Sequence, residues 1–282
     1  MTSPFKHILL ATEGTEFDVG AERVAIELAV KCGQPLLAVL PMVSNPEFQV
    51  MAPELEEKAE AEAAAKLEAL RQAGAARGVE IQGNVRLGET PFREIVGEAE
   101  ERQADLIVLR RRGKRSFLAN MLLGEMVHTV IGHTHCDVLT VPRAAQLWSK
   151  GILLATDGSA NSERATAVAA ALAVRCGLPL AVVSVAECKD GQTVECSAAQ
   201  ANVDRALATL RAAGAEATGR VVTEGKPYQA ILAAAEETGA DLIVIGRRGL
   251  NRVQRLMVGS TSERVAGSAN SAVLVVQESA QS

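Results

Sequence analysis

Aromatic side chains are scarce in this 282-residue chain, where five Phe, one Tyr and one Trp make up 2% of the residues. Proteins that hold single-stranded nucleic acid stack bases on aromatic rings and neutralise phosphates with basic side chains. The formal net charge is −5, and residues 1–145 carry 16 basic and 21 acidic side chains against 13 and 13 in the remainder. We therefore expect no nucleic-acid partner.

Long apolar runs and a dense set of cysteines are also missing. No stretch approaches the roughly 20 apolar residues of a membrane-spanning helix, and the first residues, MTSPFKHILLATEG, lack the basic and apolar regions of a secretory signal. The five cysteines are odd in number and scattered, which favours reduced, buried thiols over a disulfide framework. The expectation is a cytoplasmic protein without a membrane partner.

A long internal repeat organises the chain. The segment ILLAT occurs at 8–12 and again at 152–156, and the segment DLIV occurs at 105–108 and again at 241–244. Cys-Gly and Arg-Arg-Gly segments recur in the same order. A repeat of about 140 residues is far longer than a solenoid unit, so we predict two copies of one domain, at residues 1–145 and 146–282.

Each copy alternates short apolar runs with Ala-rich segments of helical spacing. In the second copy this pattern predicts strands at about 151–156, 180–186, 218–223, 241–246 and 272–277, and helices at 160–175, 197–213, 227–238 and 259–268. The first copy repeats it with a longer second helix. Continuously apolar strands between helices predict a parallel sheet covered on both faces. We expect two doubly wound α/β domains, each with five strands in the order 3-2-1-4-5.

The stretch from Asp241 to Ser262 has the composition of a phosphate cradle. An apolar run ends at Gly246 and Gly249, and Gly259 precedes the hydroxyl residues 260–262 at the start of a predicted helix. Backbone N–H groups in the first turn of a helix lack partners and favour an anion, while glycine lets the backbone approach a phosphate. The hydroxyl groups are predicted to cap this helix and to donate hydrogen bonds to a ligand.

The predicted strand order brings a second loop to the same place. Ligands of doubly wound sheets bind beyond the carboxyl ends of the strands where the order reverses, here between the first and fourth strands. The segment Asp157-Gly158-Ser159 follows the first strand of the second copy, so it would face the cradle across one crevice. An aspartate at such a position is also typical of a turn that binds no ligand. The position of Asp157 opposite the glycines favours a role in ligand binding.

At this point the chain resembles the universal stress protein family in its tandem form. The resemblance is carried by ILLATDGS at 152–159, by DLIVIGRRG at 241–249, and by the spacing Gly246-x2-Gly249-x9-Gly259-Ser260, which is similar to the family's ATP-binding signature. It covers nearly the whole chain, once per half. It implies Rossmann-like domains of the adenine nucleotide alpha hydrolase type and ATP as ligand, with Mg²⁺ held by the triphosphate oxygens.

The resemblance also implies roles for individual residues. Asp157 would hydrogen-bond the nucleoside, and the backbone of Val185 would contact the adenine edge. The glycines and arginines after the fourth strand would line the ribose and phosphate path, and the helix start would hold the phosphates. The candidate binding residues are Thr156, Asp157, Gly158, Val185, Gly246, Arg247, Arg248, Gly249, Gly259, Ser260, Thr261 and Ser262. We predict no catalytic residue and no metal held by the protein itself.

The first copy departs from this signature. Arg110 stands where the second copy has Gly246, Glu125 replaces Ser260, and Glu13 replaces Asp157. The loop between the later glycines is one residue longer. A carboxylate in the first helical turn competes with a phosphate for the same N–H groups and repels it. We therefore predict one adenine-nucleotide site per chain, in the second copy.

Three further patterns leave alternatives open. The basic run at 110–115 favours a solvated loop, with a site for an anionic ligand or acidic partner, or RNA, as the other interpretations. The segment HTHCD at 133–137 contains zinc-ligand types, although its position before the last strand favours a structural role. Cys188 and Cys196 are interpreted as an incidental or redox-sensitive pair, and the recurring Cys32 and Cys176 as core residues.

Three functions fit these residues. The first is an ATP-binding stress-response regulator that acts through conformation or association. The second is a slow ATPase, for which no Walker lysine or positioned general base is visible, and the third is a scaffold that binds protein partners and no nucleotide. The family resemblance implies that the last strands, DVLTVP and AVLVVQ, pair the two domains as an intramolecular pseudo-dimer. Association of two chains into a homodimer is a further expectation.

Overall fold

The computed structural model describes residues 4–44, 53–111, 125–186, 193–249 and 258–278. Described residues 5–111 and 125–147 make one compact unit, and those from 148 onward make a second. The elements of the first unit are β1 (Ile8–Ala11), α1 (Val19–Cys32), β2 (Leu36–Val43), α2 (Pro53–Ala75), β3 (Ile81–Gly88), α3 (Pro91–Glu101), β4 (Leu106–Arg110), α4 (Glu125–His133) and β5 (Asp137–Val141).

The second unit repeats this order. Its elements are β6 (Ile152–Ala155), α5 (Ala160–Cys176), β7 (Leu180–Val185), α6 (Thr193–Ala212), β8 (Ala217–Val222), α7 (Pro227–Thr238), β9 (Leu242–Gly246), α8 (Ser260–Ser268) and β10 (Ala272–Val276). Strand and helix bounds agree with the sequence-based prediction to within a few residues. The second helix is 23 residues long in the first unit and 20 in the second, so the prediction of a longer helix there is confirmed.

Both units contain a parallel sheet of the predicted order. The strands run β3-β2-β1-β4-β5 in the first unit and β8-β7-β6-β9-β10 in the second, and neighbouring strands within each unit are parallel. Every residue of the central strands β1, β6 and β9 is buried, because helices cover both faces of the sheet. The doubly wound α/β fold is therefore confirmed for each unit.

The repeated Cys-Gly segments mark the ends of the first helices. Gly33 and Gly177 follow α1 and α5 with φ of 65° each, and their backbone N–H groups donate to carbonyls of the last turn. Glycine adopts this left-handed conformation without a steric penalty. Cys32 is buried as predicted, whereas Cys176 is partly exposed, so the assignment of Cys176 to the core is wrong. No helix in the described ranges has both the length and the apolar composition to cross a membrane.

The repeated aspartate of the DLIV segments joins two strand starts in each unit. The carboxylate of Asp105 accepts hydrogen bonds from the backbone N–H groups of Lys6 at 2.7 Å and His7 at 3.1 Å. Asp241 accepts from the N–H groups of Ser149 at 2.8 Å and Gly151 at 3.2 Å. The recurrence of this aspartate thus has a structural cause at the amino ends of the strands, away from the predicted ligand end.

Candidate functional site

A cavity of about 380 Å³ lies at the carboxyl ends of β6, β7 and β9 in the second unit. This is the switch point of the strand order, where a doubly wound sheet binds its ligand. The volume falls within the range of small-molecule sites, about 300–1,000 Å³. The predicted residues that line it are Thr156, Asp157, Val185, Gly246, Arg248, Gly249, Gly259, Ser260, Thr261 and Ser262.

Two predicted residues lie outside this lining. Gly158 has φ of 76° and shapes the turn after β6, where a side chain would collide with the amide of Asn202. The side chain of Arg247 is buried and donates from Nη1 to Oε1 of Gln277 at 3.0 Å. In the structure, Gly158 therefore shapes the turn after β6, and the side chain of Arg247 contacts the segment that follows β10.

The two loops that were expected to face each other are in contact. A Cβ on Gly249 would collide with the carboxylate of Asp157, so a side chain there would displace this carboxylate from its present position. The hydroxyl of Ser159 and the side-chain N–H of Asn161 each donate to the carbonyl oxygen of Arg248 at 3.3 Å. These bonds hold the loop after β9 against the loop after β6, with Asp157 between them at the cavity wall.

Gly246 is needed because β9 ends against the first turn of α5. A Cβ at this position would lie 2.9 Å from Cβ of Asn161 and 3.1 Å from the backbone nitrogen of Ser162. The first distance is shorter than Cβ contacts in proteins, and the second is tight against backbone that cannot rotate away. Packing therefore favours the glycine at this position independently of a ligand.

Helix α8 begins at the cavity without a side-chain cap. Gly259 occupies the N-cap position, and no side chain accepts a hydrogen bond there. In the described part of the chain, no partner is found for the backbone N–H groups of Ser260, Thr261 and Ser262. The prediction that the hydroxyl residues cap this helix is wrong, because Ser262 donates its hydroxyl proton to the carbonyl oxygen of Gly246 at 2.7 Å and the N-cap is a glycine.

The backbone of Val185 forms another edge of the cavity. The N–H of Thr156 donates to the carbonyl of Val183 at 2.9 Å, and the N–H of Ala186 donates to Val222 on the other side of the strand. Because backbone groups alternate along a strand, the N–H and C=O of Val185 point toward the side of β6. Strand β6 ends at Ala155, so these two groups face the cavity rather than a neighbouring strand.

Sequence reasoning missed the remaining lining residues, which are mostly apolar. Val183 and Ile245 lie near the ends of β7 and β9, and Pro227 and Ile231 share one face at the start of α7. Ala155 and Ser162 complete the set. The spacing of Pro227 and Ile231 by four residues at a helix start was the visible signal, because residues four apart lie on one face. The cavity therefore has an apolar wall opposite its polar helix start.

The sequence of this chain is similar to those of known proteins. A family model described as the Universal stress protein family matches residues 4–142 and 149–277. The chain belongs to the universal stress protein family. A universal stress protein of Thermus aquaticus is 40% identical over 136 residues, which are 45% of this chain and 98% of that protein.

Two further comparisons show how much of the chain is similar to known proteins. A universal stress protein of Synechocystis sp. is 30% identical over 161 residues, 57% of this chain and 54% of that protein, so the chain spans about half the length of this relative. The crystal structure of a universal stress protein from Archaeoglobus fulgidus matches with a TM-score of 0.71 and 24% identity, covering 97% of each chain. That structure shows that the universal stress protein fold extends over both units.

In the first unit of this universal stress protein, Arg110 occupies the position equivalent to Gly246. Its guanidinium donates to a carboxylate oxygen of Glu13 at 2.8 Å and to the hydroxyl of Thr15 at 3.3 Å. Its Nε lies 3.4 Å from a carboxylate oxygen of Asp18. The side chain of Arg110 is 17% exposed and that of Asp18 is 2% exposed. The loop after β1 and the end of β4 are thus joined by internal ion pairs.

This arrangement corrects the interpretation of the basic run at 110–115. Arg110 is paired and mostly buried, and burial lowers the pKa of Arg111, so a solvated loop is the wrong description of these two residues. Residues 112–115 lie outside the described ranges. A guanidinium neutralised by two carboxylates is also a poor site for an anionic ligand.

A partly buried carboxyl group adjoins this ion-pair cluster. Glu22 accepts a hydrogen bond from the hydroxyl of Thr12 at 2.7 Å. Burial raises the pKa of Glu22, the negative charge of Asp18 acts in the same direction, and the Thr12 hydrogen bond opposes both. The ionised form of Glu22 is therefore disfavoured in the folded protein, and its ionisation at neutral pH lowers the stability of the first unit.

We expect Glu22→Gln to stabilise the protein by about 1 kcal/mol near neutral pH, because it removes a desolvated charge and keeps an acceptor for Thr12. Since the folded pKa is raised, the destabilisation is present above that pKa and fades as the pH falls through it. Urea unfolding followed by circular dichroism at about pH 7 and about pH 4 measures the difference. A gain of equal size at both pH values would contradict the assignment to Glu22 ionisation.

His133 and Cys136 of the segment 133–137 make contacts within the protein. Nδ1 of His133 lies 2.8 Å from the carbonyl oxygen of Thr129, and Cys136 is buried with its Sγ 2.9 Å from the carbonyl oxygen of Ala104. No group of three His, Cys, Asp or Glu side chains suited to a metal ion is found in the described ranges. Cys188 lies outside those ranges. Cys196 is disulfide-bonded, so the expectation of reduced thiols is wrong for this residue, whereas Cys32, Cys136 and Cys176 are free thiols.

Proposed function

We propose that the second unit binds one adenine nucleotide, ATP, and that the protein acts as a stress-response regulator through this binding. The observation that carries the proposal is the start of α8, where three consecutive backbone N–H groups without side-chain caps line a cavity. Such a helix start presents fixed donors and a partial positive charge of about half an elementary unit. A phosphate group supplies the charge and the acceptor oxygens that these donors lack.

The side chains near α8 support a phosphate in the same place. Ser260 is exposed and Thr261 is partly exposed at the cavity, so their hydroxyl groups can donate to an oxyanion. Arg248 also lines the cavity and carries a permanent positive charge. The hydroxyl of Ser262 serves another purpose, because its bond to Gly246 fixes the first turn of α8 to the end of β9.

The opposite part of the cavity suits a nucleoside. Val183, Ile231 and Ile245 give it an apolar wall, which favours the faces of a planar base. The backbone N–H and C=O of Val185 offer one donor and one acceptor, the combination found on the Watson–Crick edge of adenine. The carboxylate of Asp157 is positioned at the loop junction to accept hydrogen bonds from ribose hydroxyl groups.

The residues present fit Mg²⁺ only as a companion of the triphosphate. Asp157 is the one carboxylate among the cavity-lining residues of the described ranges. Mg²⁺ prefers octahedral oxygen ligands and is commonly held by one or two carboxylates together with substrate phosphates and water. The ion would therefore depend on the nucleotide oxygens, and its affinity for the protein alone would be weak.

Calorimetric titration of ATP with Mg²⁺ into nucleotide-free protein tests the proposal. We expect one site per chain, and we expect Asp157→Ala to weaken binding by about 10- to 100-fold, the effect of losing a charged acceptor for ribose. Asp204→Ala is the matched control, because Asp204 lies on the exposed face of α6, where it accepts a hydrogen bond from Gln200 at 2.9 Å.

The outcomes separate the candidate functions. Absence of heat with wild-type protein at millimolar ATP would overturn nucleotide binding and favour a scaffold that binds protein partners. Equal loss of affinity in the Asp157 and Asp204 variants would show that the site lies elsewhere. An assay for ADP release over the same period then tests for slow hydrolysis.

A further inference from the structure

The segment that follows β10 is held by three arginines, one of which, Arg248, also lines the cavity. Nη1 of Arg164 donates to the carbonyl oxygen of Gln277 at 3.1 Å, and Nη1 of Arg247 donates to its side-chain oxygen at 3.0 Å. Nη1 of Arg248 lies 3.6 Å from Oε1 of Glu278. Three cations thus converge on two consecutive residues at the carboxyl end of the last strand.

Arg248 takes part in both the cavity and this contact. The residue lines the cavity, its backbone carbonyl is fixed by Ser159 and Asn161, and its side chain is 12% exposed. The carboxylate of Glu278 is 54% exposed and also accepts a hydrogen bond from Asn161 at 3.4 Å. The backbone of Arg248 is therefore held in place, while its guanidinium contacts a carboxylate that is partly exposed to solvent.

Glu278 also balances charge between two adjacent arginines. Burial lowers the pKa of Arg247 to about 10, the positive charge of Arg248 lowers it further, and the negative charge of Glu278 opposes both. Without the negative charge of Glu278, the positive charges of the two guanidinium groups are less neutralised. They would then attract an anion in the cavity more strongly. Arg248 thus lines the cavity while its guanidinium contacts the carboxylate of Glu278.

We propose that Glu278 is an internal competitor for Arg248, which a phosphate in the cavity displaces. This inference rests on the proposed function, because it concerns the phosphate end of the same site. Glu278 then acts as a positioning residue that lowers nucleotide affinity and links occupancy of the cavity to the segment after β10. By thermodynamic reciprocity, whatever stabilises the contact between Arg248 and Glu278 weakens nucleotide binding by the same factor.

The competition makes a prediction specific to the phosphate. Glu278→Gln removes the competing charge and keeps the side-chain size, so we expect ATP to bind about two- to fivefold more tightly, the size typical of a partly exposed ion pair. Adenosine has no phosphate to compete with, so its affinity should stay unchanged. Titration calorimetry with ATP and with adenosine measures both constants on the same protein.

Two variants complete the experiment. Glu237→Gln is the matched control, since Glu237 on α7 forms an exposed ion pair with Arg220 on β8. This substitution should leave both affinities unchanged. In an Arg248→Met background, the Glu278→Gln substitution should lose its effect on ATP, because the residue for which Glu278 competes is gone. Thermal unfolding of each variant checks that the fold is retained.

Each outcome bears on a different statement. Wild-type protein that binds no ATP overturns the proposed function, whereas wild-type binding with an unchanged constant in Glu278→Gln overturns the competition alone. An equal gain for ATP and adenosine would indicate a general effect on the cavity and would also overturn it. Persistence of the gain without Arg248 would assign the effect to direct repulsion between Glu278 and phosphate.

Discussion

Ser260→Glu should weaken ATP binding by about 30- to 100-fold while leaving the protein as stable as before. The new carboxylate would lie in the first turn of α8, where it would occupy the N–H donors and repel a phosphate at a cost of about 2–3 kcal/mol. Acidic residues at a helix start favour the helix itself by about 0.3–1 kcal/mol. The substitution therefore separates ligand binding from folding.

Ser260→Gln is the control for size, because glutamine has the shape of glutamate without its charge. We expect a loss of no more than about threefold with this variant. Calorimetric titration gives the affinities, and thermal unfolding gives the stabilities. If the Gln and Glu variants lost affinity equally, the phosphate would not lie at the start of α8. The result also bears on the first unit, where Glu125 begins the equivalent helix α4.

Arg110→Met should destabilise the protein by about 2–4 kcal/mol at neutral pH. It removes the cation between Glu13 and Asp18 and leaves the carboxylate of Asp18, which is 2% exposed, without its ionic partner. Breaking a buried ion pair from one side costs about 3–5 kcal/mol when both partners are fully buried, and the exposure of Glu13 reduces this. The measurement is urea unfolding followed by circular dichroism. Tryptophan fluorescence would report on the second unit instead, because Trp148 belongs to that unit.

Arg143→Met provides the comparison for this loss. Arg143 contacts the ring of Phe17 as Arg110 does, but its ion pair with Glu16 is exposed on both sides. We expect a change below about 1 kcal/mol. Adding Asp18→Asn to Arg110→Met should recover part of the stability, since the uncompensated charge is then removed. A double variant no more stable than Arg110→Met would rule out the ion pair as the source of the loss.

The fold was predictable because its signals are local. Apolar runs without alternation indicated strands buried on both faces, and Ala-rich segments of helical spacing indicated the helices between them. The strand order followed from the rules that govern parallel sheets. The structure confirms these elements in both units. The assignment of Cys176 to the core failed because the last residue of a helix can turn toward solvent.

Most of the candidate site was predictable, because the strand order brings the loops after β6 and β9 together and ten of the predicted residues line the cavity. The glycines were predicted from approach to a phosphate, and the structure adds close contacts of Gly246 with Asn161 and of Gly249 with Asp157. Arg247 and Arg248 could not be distinguished, because adjacent residues at the end of a strand point to opposite sides. One contacts Gln277 and the other lines the cavity. The hydroxyl of Ser262 similarly bonds a carbonyl that is distant in sequence, which no local pattern reveals.

The ion pairs of Arg110 show the same limit in the first unit. The sequence shows that Arg110 stands where the second copy has Gly246, but it does not show what this side chain contacts. Glu13 and Asp18 lie about 90 residues away in sequence and meet this side chain because β1 and β4 are neighbours in the sheet. No local pattern predicts these ion pairs.

The aspartates at the strand starts have a consequence for how the two copies could diverge. Asp105 and Asp241 hold equivalent strands together at the amino end of each sheet, and these contacts do not involve the residues that differ between the two copies at the carboxyl end. One copy therefore carries an arginine and a glutamate where the other has a glycine and a serine, while the aspartate contacts at the strand starts are the same in both. The carboxyl-end loops can differ in chemistry because the amino ends of the same strands are joined independently of them.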